Sequence, residues 1–204
     1  MTPTNGCGLR AVCAVLVLGA LTSCGTPVTA TSEPAGAPGA ASNSGPAGSS
    51  PVPVPGANPG SRPLRVSISA FSWQDNDPPN SGEIGDPVIH QQAGGTGTYD
   101  DPITVSVPGE NNAATFPAGT RFYLPSVQRY LIAEDSGAPP GAPGTDTTLN
   151  VWIGGQDGTA AETDACEDQV TGGGTGSAEL DPGPGLPVMP GPIYAHHTCQ
   201  VPAS

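Results

Sequence analysis

The chain has 204 residues and a formal net charge of −13 at pH 7, and its five basic residues are all arginine. A surface of this charge repels the phosphates of nucleic acids and anionic lipid headgroups, so neither is expected as a binding partner. Alanine, glycine and proline are abundant and lysine is missing, a composition that indicates a GC-rich genome.

The first 23 residues have the pattern of an export signal. Arg10 precedes an apolar run, Ala11 to Leu21, which is too short to span a bilayer core of about 30 Å as a helix. Small residues then lead to Cys24, as in a secretory signal peptide. Leu21-Thr22-Ser23-Cys24 also resembles the bacterial lipobox, which implies cleavage before Cys24 and a palmitate-type lipid on its thiol. An ordinary signal peptide with an incidental cysteine is the alternative.

Together with the GC-rich composition, this resemblance predicts an actinobacterial lipoprotein that is exported, anchored to the outer face of the cytoplasmic membrane and facing the cell wall. Residues 24–65 are predicted to be a disordered tether, because they consist almost entirely of Gly, Pro, Ala, Ser, Thr and Val and bury no core. A coil of this length spans about 35 Å. The folded domain is expected to comprise residues 66–204.

Alternation of apolar and polar residues predicts a β domain. The strands are expected at 66–71, 103–107, 122–124, 130–133 and 149–153, with weaker candidates at 186–188 and 193–194, where proline favours sheet edges. One short helix is predicted after Thr159, because Thr159 and Glu162 form a capping-box pattern and glycines from Gly172 end it. No internal repeat is visible.

Once the signal peptide is removed and Cys24 carries a lipid, Cys166 and Cys199 remain. An even cysteine count in an oxidising location predicts a disulfide between them, which would join the helix to the C-terminal tail. A zinc site of Cys199 with His196 and His197 is the alternative, although neighbouring side chains of an extended chain point to opposite faces. No metal or other cofactor is expected.

Four segments carry a family resemblance: residues 94–104, 117–125, 129–137 and 149–155. Their order and spacing resemble the double-psi β-barrel superfamily, which includes rare lipoprotein A, the 3D domain named for three aspartates, MltA-type lytic transglycosylases and family 45 endoglucanases. The run Gly94–Thr104 is also similar to a group of secreted actinobacterial and fungal proteins. The resemblance implies an all-β, six-stranded double-psi barrel with one short helix.

The departures from the 3D pattern bear on activity. Val107 and Asn150 stand at the positions of the first and third aspartates, and only the middle one, Asp135, is retained. The resemblance implies that the third position supplies the general acid of the transglycosylases, and a carboxamide does not donate a proton in that way. Asp135 is therefore the candidate acid/base, with a cap of the Ser136–Gly137 turn as its structural alternative.

A second carboxylate is needed for glycoside hydrolysis, with the two groups about 5 to 10 Å apart. Glu134 points away from Asp135 on the same strand, which leaves Asp101 or Asp146 as partners brought together by loops. The Asp100-Asp101-Pro102 segment is equally typical of a turn. His90 shows no partner in the sequence, although a general-base role stays open.

The glycine-rich segment Gly94–Gly97 has no lysine and precedes no predicted helix, so nucleotide binding is not expected. Four aromatic residues are candidates for stacking on sugars, with core packing as the alternative: Trp73, Tyr99, Tyr123 and Trp152. Two functions remain. The first is a wall-associated lipoprotein whose barrel binds glycan or an envelope partner without efficient catalysis. The second is a lytic transglycosylase or glycosidase that uses Asp135.

Overall fold

A computed structural model describes residues 58–110 and 113–203. The predicted signal peptide, Cys24 and the predicted tether as far as residue 57 lie outside this part of the chain. Within the described residues, no helix has the length and apolar character required to cross a membrane.

The described residues form ten strands and one helix. In chain order these are β1 (Arg62–Phe71), β2 (Ile103–Val107), β3 (Gly109–Glu110), β4 (Ala113–Ala114), β5 (Arg121–Leu124), β6 (Arg129–Ser136), β7 (Thr147–Trp152), α1 (Ala160–Thr171), β8 (Thr175–Leu180), β9 (Tyr194–Ala195) and β10 (Thr198–Cys199).

Six strands close into a barrel in the order β1-β7-β2-β6-β5-β8. The neighbours β1–β7 and β2–β6 are parallel, and the other four neighbouring pairs are antiparallel. The all-β class, the closed six-stranded barrel and the single short helix are therefore confirmed, and the strand order is compatible with a double-psi barrel. Closure leaves these strands without a free edge.

The barrel interior is filled by apolar side chains from all six strands. Val66, Val105, Leu131, Leu149 and Phe122 are among those with no exposed surface. On β1 the buried positions alternate as the sequence pattern indicates, since successive side chains point to opposite faces of a strand. Burial of each large aliphatic side chain contributes about 2 kcal/mol, so this core supplies the main stabilisation.

The domain begins before the predicted boundary, because β1 starts at Arg62 and Leu64 is buried within it. The prediction places residues 62–65 in the tether because of the proline-rich composition of the whole segment 24–65. Here β1 pairs only with β8, whereas its pairing with β7 starts at Val66. Proline is tolerated in a strand segment that has a neighbour on one side.

The strand that closes the barrel, β8, was not predicted, and residues 186–188 form no strand. The β8 sequence Thr-Gly-Ser-Ala-Glu-Leu has few apolar residues, of which Ala178 and Leu180 are buried. It pairs with β1 on one side and β5 on the other. The weaker candidate at 193–194 is realised in part, as the short strand β9.

The predicted helix and its cap are confirmed. The Thr159 hydroxyl accepts the Glu162 N–H, and the Glu162 carboxylate accepts the Thr159 N–H in return. Gly172 ends the helix with a positive φ of 51°. Cys166 on this helix is bonded to Cys199, as predicted, with a Cα–Cα distance of 5.4 Å.

The zinc alternative is excluded by this bond, because the Cys199 sulfur is already linked to Cys166. His196 and His197 instead form the two-residue turn between β9 and β10, where both have positive φ, 51° and 56°. Two such residues are the requirement of a type I′ hairpin turn.

Candidate functional site

Asp135 lies near the end of β6 in an open, polar depression of the barrel surface. A cavity of about 330 Å³ is lined by Asp135 together with Ser106, Asn150, Asp75 and Asp77, among others. A second cavity of about 300 Å³ shares Asp135 and Asp77 with the first and is walled by residues 83–85 on its other side. The two cavities are called the Asp135 groove below.

Three neighbouring strands place the polar side chains of this groove next to one another. Ser106 on β2 is in register with Asn150 on β7 and with Asp135 on β6. A register shift in the β2–β6 ladder lies directly before the Ser106–Asp135 pair. Such bulges redirect side chains at the ends of barrel strands. A hydroxyl, a carboxamide and a carboxylate therefore line one surface.

The Asp135 carboxylate is partly exposed and held by the backbone of a loop. Its Oδ1 accepts the Gly85 N–H at 3.0 Å. Burial raises the pKa of Asp135 above its usual value, although hydrogen bonds from Gly85, Ser136 and Ser106 oppose the shift. The bond from Ser136 agrees with the turn-cap interpretation. Asp135 therefore combines a structural contact with a position in an open groove.

The two altered aspartate positions differ in their surroundings. Asn150 lines the groove, and its Oδ1 accepts the Ser69 hydroxyl at 2.7 Å. Val107 has no exposed surface and belongs to the hydrophobic core. The Asn150 carboxamide is thus placed to contact a ligand. Val107 packs in the core, and its neighbour Ser106 lines the groove instead.

The carboxylates that accompany Asp135 are not those expected from the sequence. Asp101 binds His90, and Asp146 accepts the Arg65 N–H at 2.7 Å, so neither lines the groove. Asp75 and Asp77 take their place. Asp75 Oδ1 accepts both the N–H and the hydroxyl of Ser72, at 2.6 and 2.9 Å. Among the described lining residues there is no lysine, arginine or histidine, so the groove carries negative charge.

A second polar cluster lies behind the groove, on the other face of β6. Glu134 is fully buried, and its Oε1 accepts the N–H groups of Val88, Ile89 and His90 at 3.3, 2.8 and 2.9 Å. Its Oε2 contacts His90 Nδ1 at 2.7 Å and accepts the Thr104 hydroxyl at 2.9 Å. The buried charge is thus compensated by hydrogen bonds from several directions.

His90 joins this buried carboxylate to Asp101. Its Nε2 lies 2.9 Å from Asp101 Oδ1, and Asp101 Oδ2 accepts the Thr96 N–H and hydroxyl. Burial alone would lower the pKa of His90, but the hydrogen bonds with Asp101 and Glu134 raise it. For Glu134 the burial effect is likewise outweighed, and hydrogen bonds from His90 and Ile89 lower the pKa of that carboxyl. The cluster therefore favours charged forms of all its members.

The aromatic residues proposed for sugar stacking divide into two pairs. Tyr123 and Trp152 are only 4% and 5% exposed and belong to the core, so their faces are not available to a ligand. Trp73 is half-buried. Tyr99 is also half-buried and has the Arg121 guanidinium 5.0 Å from its ring centroid. The burial of Tyr123 and Trp152 favours core packing, the alternative interpretation, for these two residues.

The glycine-rich run is shaped by contact with neighbouring backbone and side chains. Gly95 and Gly97 have φ values of 99° and 73°. A Cβ atom at Gly95 would meet the Pro102 carbonyl, and one at Gly97 would meet the Arg129 side chain. Both glycines are therefore required by the turn that presents Asp101 to His90.

Comparison with known proteins gives a family but no activity. A Dictyostelium discoideum protein that is described as uncharacterized is 47% identical over 69 residues, which are 34% of this chain and 28% of that protein. The chain thus spans less than a third of this relative. No solved structure matches. A family model described as the DDB_G0273701 N-terminal domain matches residues 64–200. This range contains the complete barrel except its first two residues, together with the disulfide, and the chain belongs to the DDB_G0273701 N-terminal domain family.

Proposed function

We propose that the barrel binds cell-wall glycan in the Asp135 groove without efficient catalysis. The observation that carries this proposal is the row of Asp135, Ser106 and Asn150 on three adjacent strands. Together they offer hydroxyl, amide and carboxylate groups, which hydrogen-bond the hydroxyl and acetamido groups of sugars. The resemblance to rare lipoprotein A and the 3D domain supports a wall polysaccharide as the ligand.

Of the three aspartate positions of the resembled pattern, the groove retains one, whereas glycoside hydrolysis usually depends on two carboxyl groups set across the scissile bond. Asn150 occupies the position that the transglycosylase resemblance gives to the general acid. The Asp75 carboxylate is engaged by Ser72 through two hydrogen bonds. Asp135 is therefore the one carboxylate of the resembled pattern that remains in the groove, and binding is the better-supported function.

The negative charge of the groove limits the kinds of glycan that can bind there. Asp75, Asp77, Glu83 and Asp135 line it, with no basic residue among the described lining residues. Polymers rich in phosphate or uronic acid are repelled by such a surface, whereas neutral or amino-bearing sugars are accepted. Chains of N-acetylglucosamine type fit this requirement.

The proposal includes the location inferred from the N-terminal sequence. A lipid on Cys24 and a flexible tether would keep the barrel within a few tens of ångströms of the membrane surface. Confinement of this kind raises the effective concentration of a binding domain near the wall. Weak binding to each glycan segment is then sufficient for stable association.

The test is titration of the full-length protein with chitohexaose, a neutral N-acetylglucosamine oligomer, by calorimetry. Asp135→Ala is expected to weaken binding about tenfold, the factor lost with one hydrogen bond to a charged group. The matched control is Asp100→Ala, because Asp100 is exposed and does not line the groove. Equal affinity of wild type and Asp135→Ala would rule out the groove as the binding surface.

A lytic transglycosylase is the second candidate, and the environment of Asp135 favours it. Burial raises the pKa of this carboxyl, which increases the protonated fraction that a general acid requires. Such an enzyme would release anhydro-muropeptides from purified peptidoglycan, and Asp135→Asn would abolish the release by removing the titrating proton. Binding of glycan with no soluble product from wild type would contradict this candidate.

A further inference from the structure

The wall of the Asp135 groove is a loop that β6 holds from both of its faces. Residues 84–90, called the 84–90 loop, donate the Gly85 N–H to the Asp135 carboxylate and the Asp86 N–H to the Glu134 carbonyl. The N–H groups of Val88, Ile89 and His90 then converge on the Glu134 side chain. Groove and buried cluster are thus joined through one loop.

His90 is the last residue of this loop and lies between two carboxylates. Its Nδ1 is 2.7 Å from Glu134 Oε2 and its Nε2 is 2.9 Å from Asp101 Oδ1. A protonated imidazole donates from both nitrogens and satisfies both contacts. A neutral imidazole has one donor, so one of the two short contacts becomes a repulsion between a lone pair and a carboxylate. The two short contacts therefore favour the charged ring.

We propose that protonated His90 is the positioning residue of the Asp135 groove, because it fixes the 84–90 loop between Glu134 and Asp101 and so holds the groove in its ligand-binding form. The identity of the ligand rests on the proposed function. The claim that His90 holds the 84–90 loop rests on the loop contacts alone. His90 lines neither groove cavity, so its effect on a ligand is indirect.

The direction of the pH effect follows from the groups that face the ring. Glu134 approaches from β6 and Asp101 from the loop before β2, and both are acidic. The uncharged Thr104 hydroxyl donates to the same oxygen of Glu134 from β2. The two carboxylates raise the pKa of His90 above 6.5. The loop is held below that raised pKa and loosens as pH increases through it.

The test is a pH titration of the full-length protein without ligand, monitored by NMR. The ring signals of the three histidines report each protonation, and amide exchange corrected for the intrinsic rate reports protection of Gly85 and Ile89. Protection is expected to fall about tenfold as His90 loses its proton, the factor for one charge-assisted hydrogen bond. Chitohexaose affinity should fall by a similar factor over the same range.

Variants separate positioning from general stability. His90→Gln is expected to remove the step in the pH profile, and Asp101→Asn should move its midpoint to lower pH by deleting one of the two charges. The control His196→Gln should leave the profile unchanged, since that side chain is 95% exposed. A protection profile in wild type that shows no step as His90 titrates would overturn the proposal. If chitohexaose fails to bind at every pH while the protection step is present, the proposed ligand is wrong and the role of His90 stands.

Discussion

Replacement of Glu134 by alanine is expected to lower the free energy of unfolding by about 4 kcal/mol, one of the largest losses that a single side chain can cause here. The substitution leaves the N–H groups of Val88, Ile89 and His90 facing a space in which Glu134 had no exposed surface. Buried donors without partners cost about 1–3 kcal/mol each, reduced by whatever water enters. Chemical denaturation of the full-length protein at pH 7 measures the loss.

Glu134→Gln is the informative intermediate, because an amide oxygen still accepts the three N–H groups while the charge is lost. We expect about half the loss of Glu134→Ala. The control is Glu179→Gln on β8, where the carboxylate accepts the Ser61 hydroxyl at a partly exposed site, and where a change below about 1 kcal/mol is expected. If Glu134→Ala and Glu179→Gln were equally stable, the buried cluster would have no structural role.

The pH dependence of the Glu134 effect has a defined sign. Burial opposes ionisation, but the hydrogen bonds lower the pKa of Glu134 below its ordinary 4.5. The stabilisation is therefore complete above pH 4.5 and is lost as pH falls through the lowered pKa. The difference between wild type and Glu134→Gln should shrink in that acidic range, and it should reach its full size between pH 4.5 and the raised pKa of His90, above which the contribution of the charged ring is lost.

The local sequence predicts those elements whose residue types follow directly from burial or from a capping contact. Strand β2 is fully buried and apolar at alternate positions, and the cap of α1 is a reciprocal pair of Thr159 and Glu162. Strand β8 shows no such pattern, because it is held by its two neighbours and not by its own composition. Its pairing of Leu180 with Phe122 depends on closure of the barrel, which is a property of the whole chain.

The functional site divides in the same way. Asp135 was found because the resemblance singles out its position, and its location in an open groove agrees with that choice. The sequence does not reveal the role of Glu134, because its main partners are backbone N–H groups, which every residue type except proline carries. The sequence likewise indicates no partner for His90, because Glu134 lies 44 positions further along the chain. One signal in the sequence does point to the buried cluster: Glu134 is a carboxylate on the face of β6 opposite Asp135, where burial requires a partner.

The segment Gly94–Thr104 and the buried cluster of Glu134, His90 and Asp101 are in direct contact, because Asp101 belongs to both. Gly95 and Gly97 bring the Asp101 turn close to Pro102 and Arg129, and the turn presents Asp101 to His90. His90 in turn belongs to the loop that walls the Asp135 groove. The segment Gly94–Thr104, which carries part of the family resemblance, thereby supports the groove through contacts behind it and does not line the groove itself.

Loss of the Cys166–Cys199 disulfide is the second large effect, expected to reduce the free energy of unfolding by about 3–4 kcal/mol. The bond closes a segment with a sequence separation of 33, and removing it increases the conformational freedom of the unfolded chain. Cys166 is also fully buried, so Cys166→Ala adds a small packing loss. The comparison uses a background in which Cys7, Cys13 and Cys24 are serine, so that dithiothreitol acts on this bond alone.

The effect of the disulfide on the groove should be small, because the bond joins α1 to the C-terminal tail and neither Cys166 nor Cys199 lines the groove. The tail has its own attachment to the barrel, since Ile193 is fully buried and the Tyr194 N–H donates to the Ile153 carbonyl at 2.8 Å. We therefore expect reduced wild type and Cys166→Ala/Cys199→Ala to melt at similar, lower temperatures while they bind chitohexaose with unchanged affinity below the transition. Insensitivity of the melting temperature to dithiothreitol would contradict a stabilising role, and loss of affinity in the folded reduced protein would show that the tail shapes the groove.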